Sequence, residues 1–208
     1  VEGLQLTDFT FTAAKGKITM PASSQFEALV HSEIGVALAN NKTPKEIGSI
    51  ILSVAGGSYL FNFSESKQTR QTEFVAPTTP GTYSAVLTIN FTDQTSGVFN
   101  WQVQAVPYGQ IYEKKKGQKI FLSDAIISLY QQNQLWPAAS FYQSNPQTTG
   151  ADGIFGFMVP PGKYLLKIEK VGYSAETINL TVSGVVINPS VELLYLPLAI
   201  KDVIKPVA

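Results

Sequence analysis

Residues 80–90 read PGTYSAVLTIN, and residues 161–170 read PGKYLLKIEK. Each stretch opens with a Pro-Gly pair, which favours a tight turn, and places a tyrosine shortly after the glycine. Apolar and polar residues then alternate, which is the pattern of a β-strand that buries one of its faces. We expect the tyrosine ring to pack inward while its hydroxyl finds a hydrogen-bond partner. The feature predicts a sandwich strand in each half of the chain and need not reflect duplication.

The same period of two recurs elsewhere, for example in residues 4–11 and 100–106. These stretches are rich in Val, Ile, Thr, Tyr and Phe, which suit a pleated, half-buried surface. Turn-forming pairs such as Lys15-Gly16 and Asp152-Gly153 separate them. Many short strands with regular turns predict an all-β protein built from sandwiches.

Helical signals are weak throughout the sequence. The best candidate is residues 43–48, which read TPKEIG and resemble a helix start with a capping residue and an early proline. Gly48 follows within about one turn, so we predict a short loop or 3₁₀ turn between strands.

The length of the chain suits two domains. It has 208 residues, 44% of them hydrophobic, which is enough for two cores in domains of about 100 residues. A strand pattern ends at Val106, Pro107-Tyr108-Gly109 interrupts it, and a new pattern starts at Gln110. We therefore predict an all-β fold of two tandem β-sandwich domains, residues 1–107 and 108–208, held by a short linker in a limited range of orientations.

Charge and composition exclude several classes of partner. Fifteen basic residues balance fifteen acidic ones, so no net field directs the chain to nucleic acid or an anionic membrane. The basic run Lys114-Lys115-Lys116 is expected to be a solvated turn. The absence of cysteine excludes disulfides and thiol chemistry.

The given residues show neither a signal-peptide pattern nor an apolar run of about 18 residues, so we predict no membrane insertion within this chain. It opens with Val1 rather than Met. We therefore expect it to be a mature or excised piece of a larger secreted or cell-surface protein.

The second half carries an ordered series of motifs. They are GQIY at 109–112, DAIISLY at 124–130, TTGADGIFGF at 148–157, VPPGKYLL at 159–166 and Gly172-Tyr173. This order resembles the carboxypeptidase regulatory-like domain, a transthyretin-like (prealbumin-like) β-sandwich, over residues 109–194. The resemblance implies a non-catalytic folding, spacing or binding module. The lysine run at 114–116 and a longer, aromatic-rich insertion at 133–145 depart from the family pattern. Residues 80–83 and 101–106 look like the last strands of an immunoglobulin-like or fibronectin-like module.

Patterns of catalytic and metal sites are missing from the sequence. His31 is the only histidine, which argues against Ser-His-Asp hydrolysis and histidine-based metal sites, and we expect it on the polar face of a strand. The carboxylates are scattered, the glycine-rich spots do not open helices, and no acidic series suited to calcium occurs. We predict no catalytic residue, no metal ligand and no cofactor.

The sharpest binding candidate is an aromatic platform in the insertion. Trp136, Phe141 and Tyr142 supply rings on which a sugar can stack, and Gln143 supplies an amide for sugar hydroxyls. The alternative is that Trp136 and Phe141 fill the sandwich core.

Two functions remain open at this point. One is a structural spacer or adhesion module whose partners are other domains of the same polypeptide or surface proteins. The other is a carbohydrate- or protein-binding accessory module of an extracellular enzyme, with glycans among its ligands.

Overall fold

The computed structural model describes residues 3–21, 23–39, 41–43 and 45–196. Strands in the first half are β1 (Phe9–Ala13), β2 (Ile18–Thr19), β3 (Gln25–Leu29), β4 (Glu33–Ala39), β5 (Ile47–Val54), β6 (Gly57–Leu60), β7 (Asn62–Ser64), β8 (Thr69–Val75), β9 (Gly81–Phe91) and β10 (Ser96–Val106). Strands in the second half are β11 (Gly109–Lys115), β12 (Gln118–Phe121), β13 (Ile126–Gln131), β14 (Gln134–Leu135), β15 (Gln147–Thr148), β16 (Ile154–Phe155), β17 (Phe157–Met158), β18 (Gly162–Glu169), β19 (Glu176–Val182), β20 (Val186–Ile187) and β21 (Val191–Glu192).

Helices are few and short in this structure. The described residues contain two 3₁₀ helices, Leu6–Asp8 and Ala138–Phe141. Within the same residues, no helix has the length and apolar character needed to cross a membrane. The prediction of an all-β sandwich fold is confirmed.

The first half is a sandwich of two five-stranded sheets. One has the order β2-β1-β4-β8-β7 and the other β3-β10-β9-β5-β6. The pairing is antiparallel except between β3 and β10, which run parallel. Strands β1, β4, β8 and β7 correspond to A, B, E and D of an immunoglobulin-like sandwich, and β5, β9 and β10 to C, F and G. Alternate side chains of both sheets meet in one core, which contains Phe11, Ile34, Leu52, Leu87 and Trp101.

The second half packs a second pair of sheets. One has the order β12-β11-β16, with β21 parallel to β11, and the other has the order β14-β13-β18-β19, with β15 also paired to β13. A short ladder joins β17 to β20. The core between the sheets contains Ile111, Leu129, Phe157, Leu166 and Ile168. Because Ile168 is buried while its neighbour Glu169 pairs with Lys167, β18 follows the predicted alternation.

The start of the chain differs from its predicted strand. Residues 6–8 form a 3₁₀ turn, and β1 begins only at Phe9. The backbone N–H of Gln5 donates a hydrogen bond of 2.8 Å to the carboxylate of Asp8. Capping by a side chain therefore overrides the alternating pattern at this end.

One further local prediction was right except at its end, and one was wrong. Gly48 does not end a turn but lies inside β5, where the register with β9 shifts between Ile47 and Ser49. The predicted loop is confirmed at residues 43 and 45–46, which lie between β4 and β5 outside any helix, and Pro44 lies outside the described residues. His31 is exposed in the turn between β3 and β4 with a φ of 64°, rather than on a strand.

The lysine run is only partly a turn. Lys114 and Lys115 end β11, and only Lys116 lies in the turn with Gly117. The ammonium group of Lys114 lies 2.7 Å from the Glu192 carboxylate, and that of Lys115 lies 2.8 Å from the buried Glu113. Hydrogen bonding to these carboxylates raises the pKa of both lysines. Two of the three lysines therefore pair with carboxylates. The prediction of a solvated turn is confirmed only for Lys116.

The two sandwiches pack directly against each other. Only Pro107 and Tyr108 lie between β10 and β11. Met158 and Val185 of the second half are 5% and 1% exposed and belong to the buried cluster of the first half. A Cβ atom added to Gly156 would lie 2.9 Å from Cδ1 of Tyr108 and 3.1 Å from Cδ1 of Leu29. This close approach favours a glycine, because the side chain of a larger residue would have to displace Tyr108 or Leu29 at the junction.

Candidate functional site

A groove of about 650 Å³ lies where the two sandwiches meet. Its volume is in the range of small-molecule sites, which are often formed at domain interfaces. The first half contributes Ala14, Lys15, Leu29, Ser32 and Glu33, the linker contributes Tyr108, and the second half contributes Phe141, Tyr142, Gln143, Ser144, Pro146, Gln147, Thr148, Gly156 and Met158. Three of the four predicted platform residues therefore line one groove.

Trp136 is not part of this groove. Its side chain is 2% exposed in the core of the second sandwich. The ring stacks on Phe141 at a centroid distance of 4.9 Å and meets Phe157 and Tyr164 edge-on at 6.3 and 6.5 Å. Other rings therefore cover the Trp136 ring. The residue fills the sandwich core, as the alternative prediction stated. Phe141 is half-buried between this core and the groove.

Tyr142 is the exposed ring of the groove. It ends the 3₁₀ helix Ala138–Phe141 with a φ of 56°, a left-handed conformation that is rare for an aromatic residue. The residue is 63% exposed. The ammonium group of Lys15, from the first sandwich, lies 5.5 Å from the centroid of its ring, within the range of a cation–π contact. Tyr142 and Lys15 therefore face each other across the junction.

The side chain of Gln143 holds the wall of the groove by hydrogen bonds to the backbone. Its side-chain nitrogen donates to the Met158 carbonyl at 2.6 Å, and its oxygen accepts the Met158 N–H at 2.8 Å. Gln147 makes the same pair of bonds to Gly156, at 2.8 and 3.1 Å. Both side-chain amides therefore form paired hydrogen bonds with the backbone, as neighbouring strands do in a sheet. They are not free to bind a ligand in the groove.

Asn145 holds the same segment from its other side. Its side-chain nitrogen donates to the carbonyls of Leu129 and Trp136 at 2.7 and 2.9 Å, and its oxygen accepts the Leu129 N–H at 2.9 Å. Residues 143–147 are therefore fixed to β13 on one side and to residues 156–158 on the other. This arrangement gives the groove a rigid wall without a long strand.

The polar character of the groove is balanced. Lys15 and Glu33 are both exposed and carry opposite charges, and Ser32 donates its hydroxyl to the Leu29 carbonyl at 2.6 Å. Across the part of the chain that the structure describes, no group of three or more histidine and carboxylate side chains is arranged to hold a metal ion. The groove presents hydroxyls and one charge of each sign around an exposed tyrosine.

Sequence reasoning found the second-half wall of the groove and missed the first-half wall. Lys15-Gly16 was recognisable as a turn, and Lys15 has a φ of 53° there. Nothing in the order of residues indicated that this turn lies opposite Tyr142, because the juxtaposition depends on how the two domains dock. For the same reason, the sequence did not indicate that Glu33 and the linker residue Tyr108 line the groove.

Comparison with solved structures finds weak similarity to two proteins. The adhesin InvE of Yersinia pseudotuberculosis is 15% identical with a TM-score of 0.31, over 86% of this chain and 60% of that one. Dimeric latent PorU of Porphyromonas gingivalis is 12% identical with a TM-score of 0.33, over 90% of this chain and 20% of that one.

No protein-family model matches the chain. No curated protein matches it either. The resemblance of residues 109–194 to the carboxypeptidase regulatory-like domain therefore stays a prediction.

Proposed function

We propose that this chain is a non-catalytic structural or adhesion module of a larger secreted or cell-surface protein, in which two docked β-sandwiches act as one rigid unit. In this proposal residues 1–107 form the immunoglobulin-like part, and residues 108–208 form the carboxypeptidase regulatory-like part with its C-terminal tail. The observation that carries the proposal is the direct packing of Met158 and Val185 into the core of the first sandwich.

Rigidity follows from packing at the junction. Met158 and Val185 pack among the buried side chains of the first half, and full burial of an apolar side chain contributes at most about 1.5–3 kcal/mol. The linker of Pro107 and Tyr108 is too short to let the domains separate freely. A spacer or adhesion module needs this property, because a flexible junction would not hold a binding surface at a fixed angle.

Small-angle X-ray scattering of the full chain tests the proposal. We expect the scattering of the wild type to fit one compact docked arrangement. In the Gly156→Val variant the new side chain meets Tyr108 and Leu29, so the radius of gyration should rise as the domains separate. Gly184→Val is the matched control, because a Cβ there meets no atom within 4 Å. Scattering of the wild type that requires an ensemble of undocked orientations would contradict the proposal.

The groove favours a second candidate function. A ligand-sized cleft with an exposed ring also suits a carbohydrate- or protein-binding accessory module of an extracellular enzyme. The two functions differ in what the chain does alone. An accessory module should bind a soluble ligand with the affinity of the whole protein, whereas a spacer should bind none and still remain docked.

A further inference from the structure

We infer that the junction groove is a binding site for a short, uncharged oligosaccharide, with the Tyr142 ring as its stacking surface and Lys15 and Glu33 as its polar contacts. This inference rests on the docked arrangement of the proposed function, because the two walls of the groove come from different domains. It concerns the ligand class of the groove and favours the second candidate function, the accessory binding module, because a spacer would bind no ligand.

The lining chemistry matches a ligand rich in hydroxyl groups. Tyr108, Ser144 and Thr148 bring hydroxyls to the groove that can both donate and accept a hydrogen bond, whereas the Ser32 hydroxyl donates to the Leu29 carbonyl and can only accept. Sugar hydroxyls have the same dual capacity, and the apolar C–H face of a sugar packs on an aromatic ring. One carboxylate and one ammonium group add a strong acceptor and a strong donor.

Charge argues against ionic ligands. Lys15 and Glu33 leave the groove with no net charge, and the whole chain has fifteen charges of each sign. A polyanion such as nucleic acid requires a cluster of cations, which the lining residues lack. An uncharged ligand therefore experiences no long-range electrostatic attraction or repulsion in the groove.

The backbone of the groove wall argues against an extended peptide. Peptides commonly bind by adding a strand to an open sheet edge. Here β15 pairs with β13, and the side-chain amides of Gln143 and Gln147 already form hydrogen bonds with the backbone of residues 156–158. Residues 143–147 therefore offer no open edge to a peptide, and recognition must come from side chains.

The backbone around Tyr142 and Lys15 positions both side chains at the groove. Both Tyr142 and Lys15 have left-handed backbone conformations, at φ of 56° and 53°. The same conformation occurs at nine other non-glycine residues of the described chain, so it fixes the position of these two side chains without itself indicating a ligand. The 3₁₀ helix and the β1–β2 turn hold both residues so that their side chains meet across the groove.

The test is binding of the full chain to an array of neutral oligosaccharides, followed by titration calorimetry with the best of them. Tyr142→Asn should weaken binding about tenfold, since it removes the stacking ring while asparagine tolerates the left-handed backbone. Lys15→Asn should weaken binding severalfold by loss of a charged donor.

Tyr195→Asn is the control for the ring, because Tyr195 is 58% exposed outside the groove. Lys116→Asn is the control for the turn, because Lys116 has a φ of 51° and also precedes a left-handed glycine.

The inference is overturned if no neutral oligosaccharide binds, if only charged glycans or peptides bind, or if the two groove variants bind as tightly as their controls. Circular dichroism of each variant shows whether it is folded. If scattering shows docked domains while the array shows no binding, the ligand assignment fails and the proposed rigid module stands. If the domains prove undocked, the proposed function itself fails.

Discussion

The hydroxyl of Tyr164 donates a hydrogen bond of 2.8 Å to the carbonyl of Pro160, four residues earlier in the chain. In the first sandwich the hydroxyl of Tyr83 donates to the carbonyl of Thr79, also at 2.8 Å. Both tyrosines follow a Pro-Gly pair and stand near the start of a strand, as in the tyrosine corner of immunoglobulin-like sandwiches. The predicted hydrogen-bond partner of each hydroxyl is therefore confirmed. The bond ties the incoming turn to the strand that crosses the middle of each domain.

Tyr164→Phe should lower the free energy of unfolding by about 1 kcal/mol, because the Pro160 carbonyl loses its donor in a partly buried place. Tyr83→Phe should cost less, since the hydrogen bond to Thr79 is exposed and water can replace the hydroxyl. Urea denaturation of both variants measures the difference, with Tyr195→Phe as an exposed control. Equal losses at Tyr164 and Tyr195 would show that the corner does not stabilise the second sandwich.

Trp136→Ala should destabilise the second sandwich by about 3–5 kcal/mol, because it leaves a cavity among Phe141, Phe157 and Tyr164. This effect distinguishes a core residue from a ligand-binding platform, for which alanine would be nearly neutral in stability. Thermal unfolding followed by near-ultraviolet circular dichroism checks it. A variant that unfolds at the wild-type temperature would contradict the core role.

Asn145→Asp should lower the free energy of unfolding by about 2 kcal/mol or more. A carboxylate can still accept the hydrogen bond from the Leu129 N–H, but it has no donor for the two carbonyl oxygens that it faces. The exposed Asn100→Asp change is the control for the added charge. Denaturant midpoints of the two variants give the comparison. If both changes cost the same, the three hydrogen bonds of Asn145 do not hold the groove wall.

Asp93 gives a prediction about pH. The Thr95 hydroxyl and N–H donate to its carboxylate, and Lys45 lies 3.0 Å away, so the pKa of Asp93 is lowered to about 2. A lowered pKa means that the contribution of Asp93 to stability is present above its unfolded pKa of about 3.9 and is lost as the pH falls through about 2. Carbon-detected NMR titration should place the Asp93 midpoint near 2 and move it upward in Thr95→Val. A wild-type midpoint near the unfolded value would contradict this account of the β9–β10 turn.

The strands were predictable because their signals are local. Alternation fixes which side chains of β9, β10 and β18 face inward, and the Pro-Gly pairs fix where β9 and β18 begin. The 3₁₀ turn at Leu6–Asp8 was missed because one side chain, Asp8, captures the backbone of Gln5, which a periodic pattern does not reveal.

The groove was only half predictable for a different reason. Tyr142 lies in a segment whose aromatic content is visible in the sequence, whereas Lys15 joins it through packing between domains. Gln143 illustrates the limit of residue-type reasoning, because an amide suited to a sugar is engaged with the Met158 backbone instead. Long-range docking and side-chain pairing decide such details, and neither has a periodic signature in the sequence.

The central claim is that the two sandwiches form one rigid unit, and a distance measurement between them tests it most directly. The chain has no cysteine, so spin labels can be placed at Val98→Cys and Val171→Cys, which are 51% and 98% exposed on different domains. Double electron–electron resonance should give a single narrow distance distribution that broadens when Gly156→Val is added. A broad distribution in the chain without the Gly156 change would contradict a fixed junction, and with it the groove.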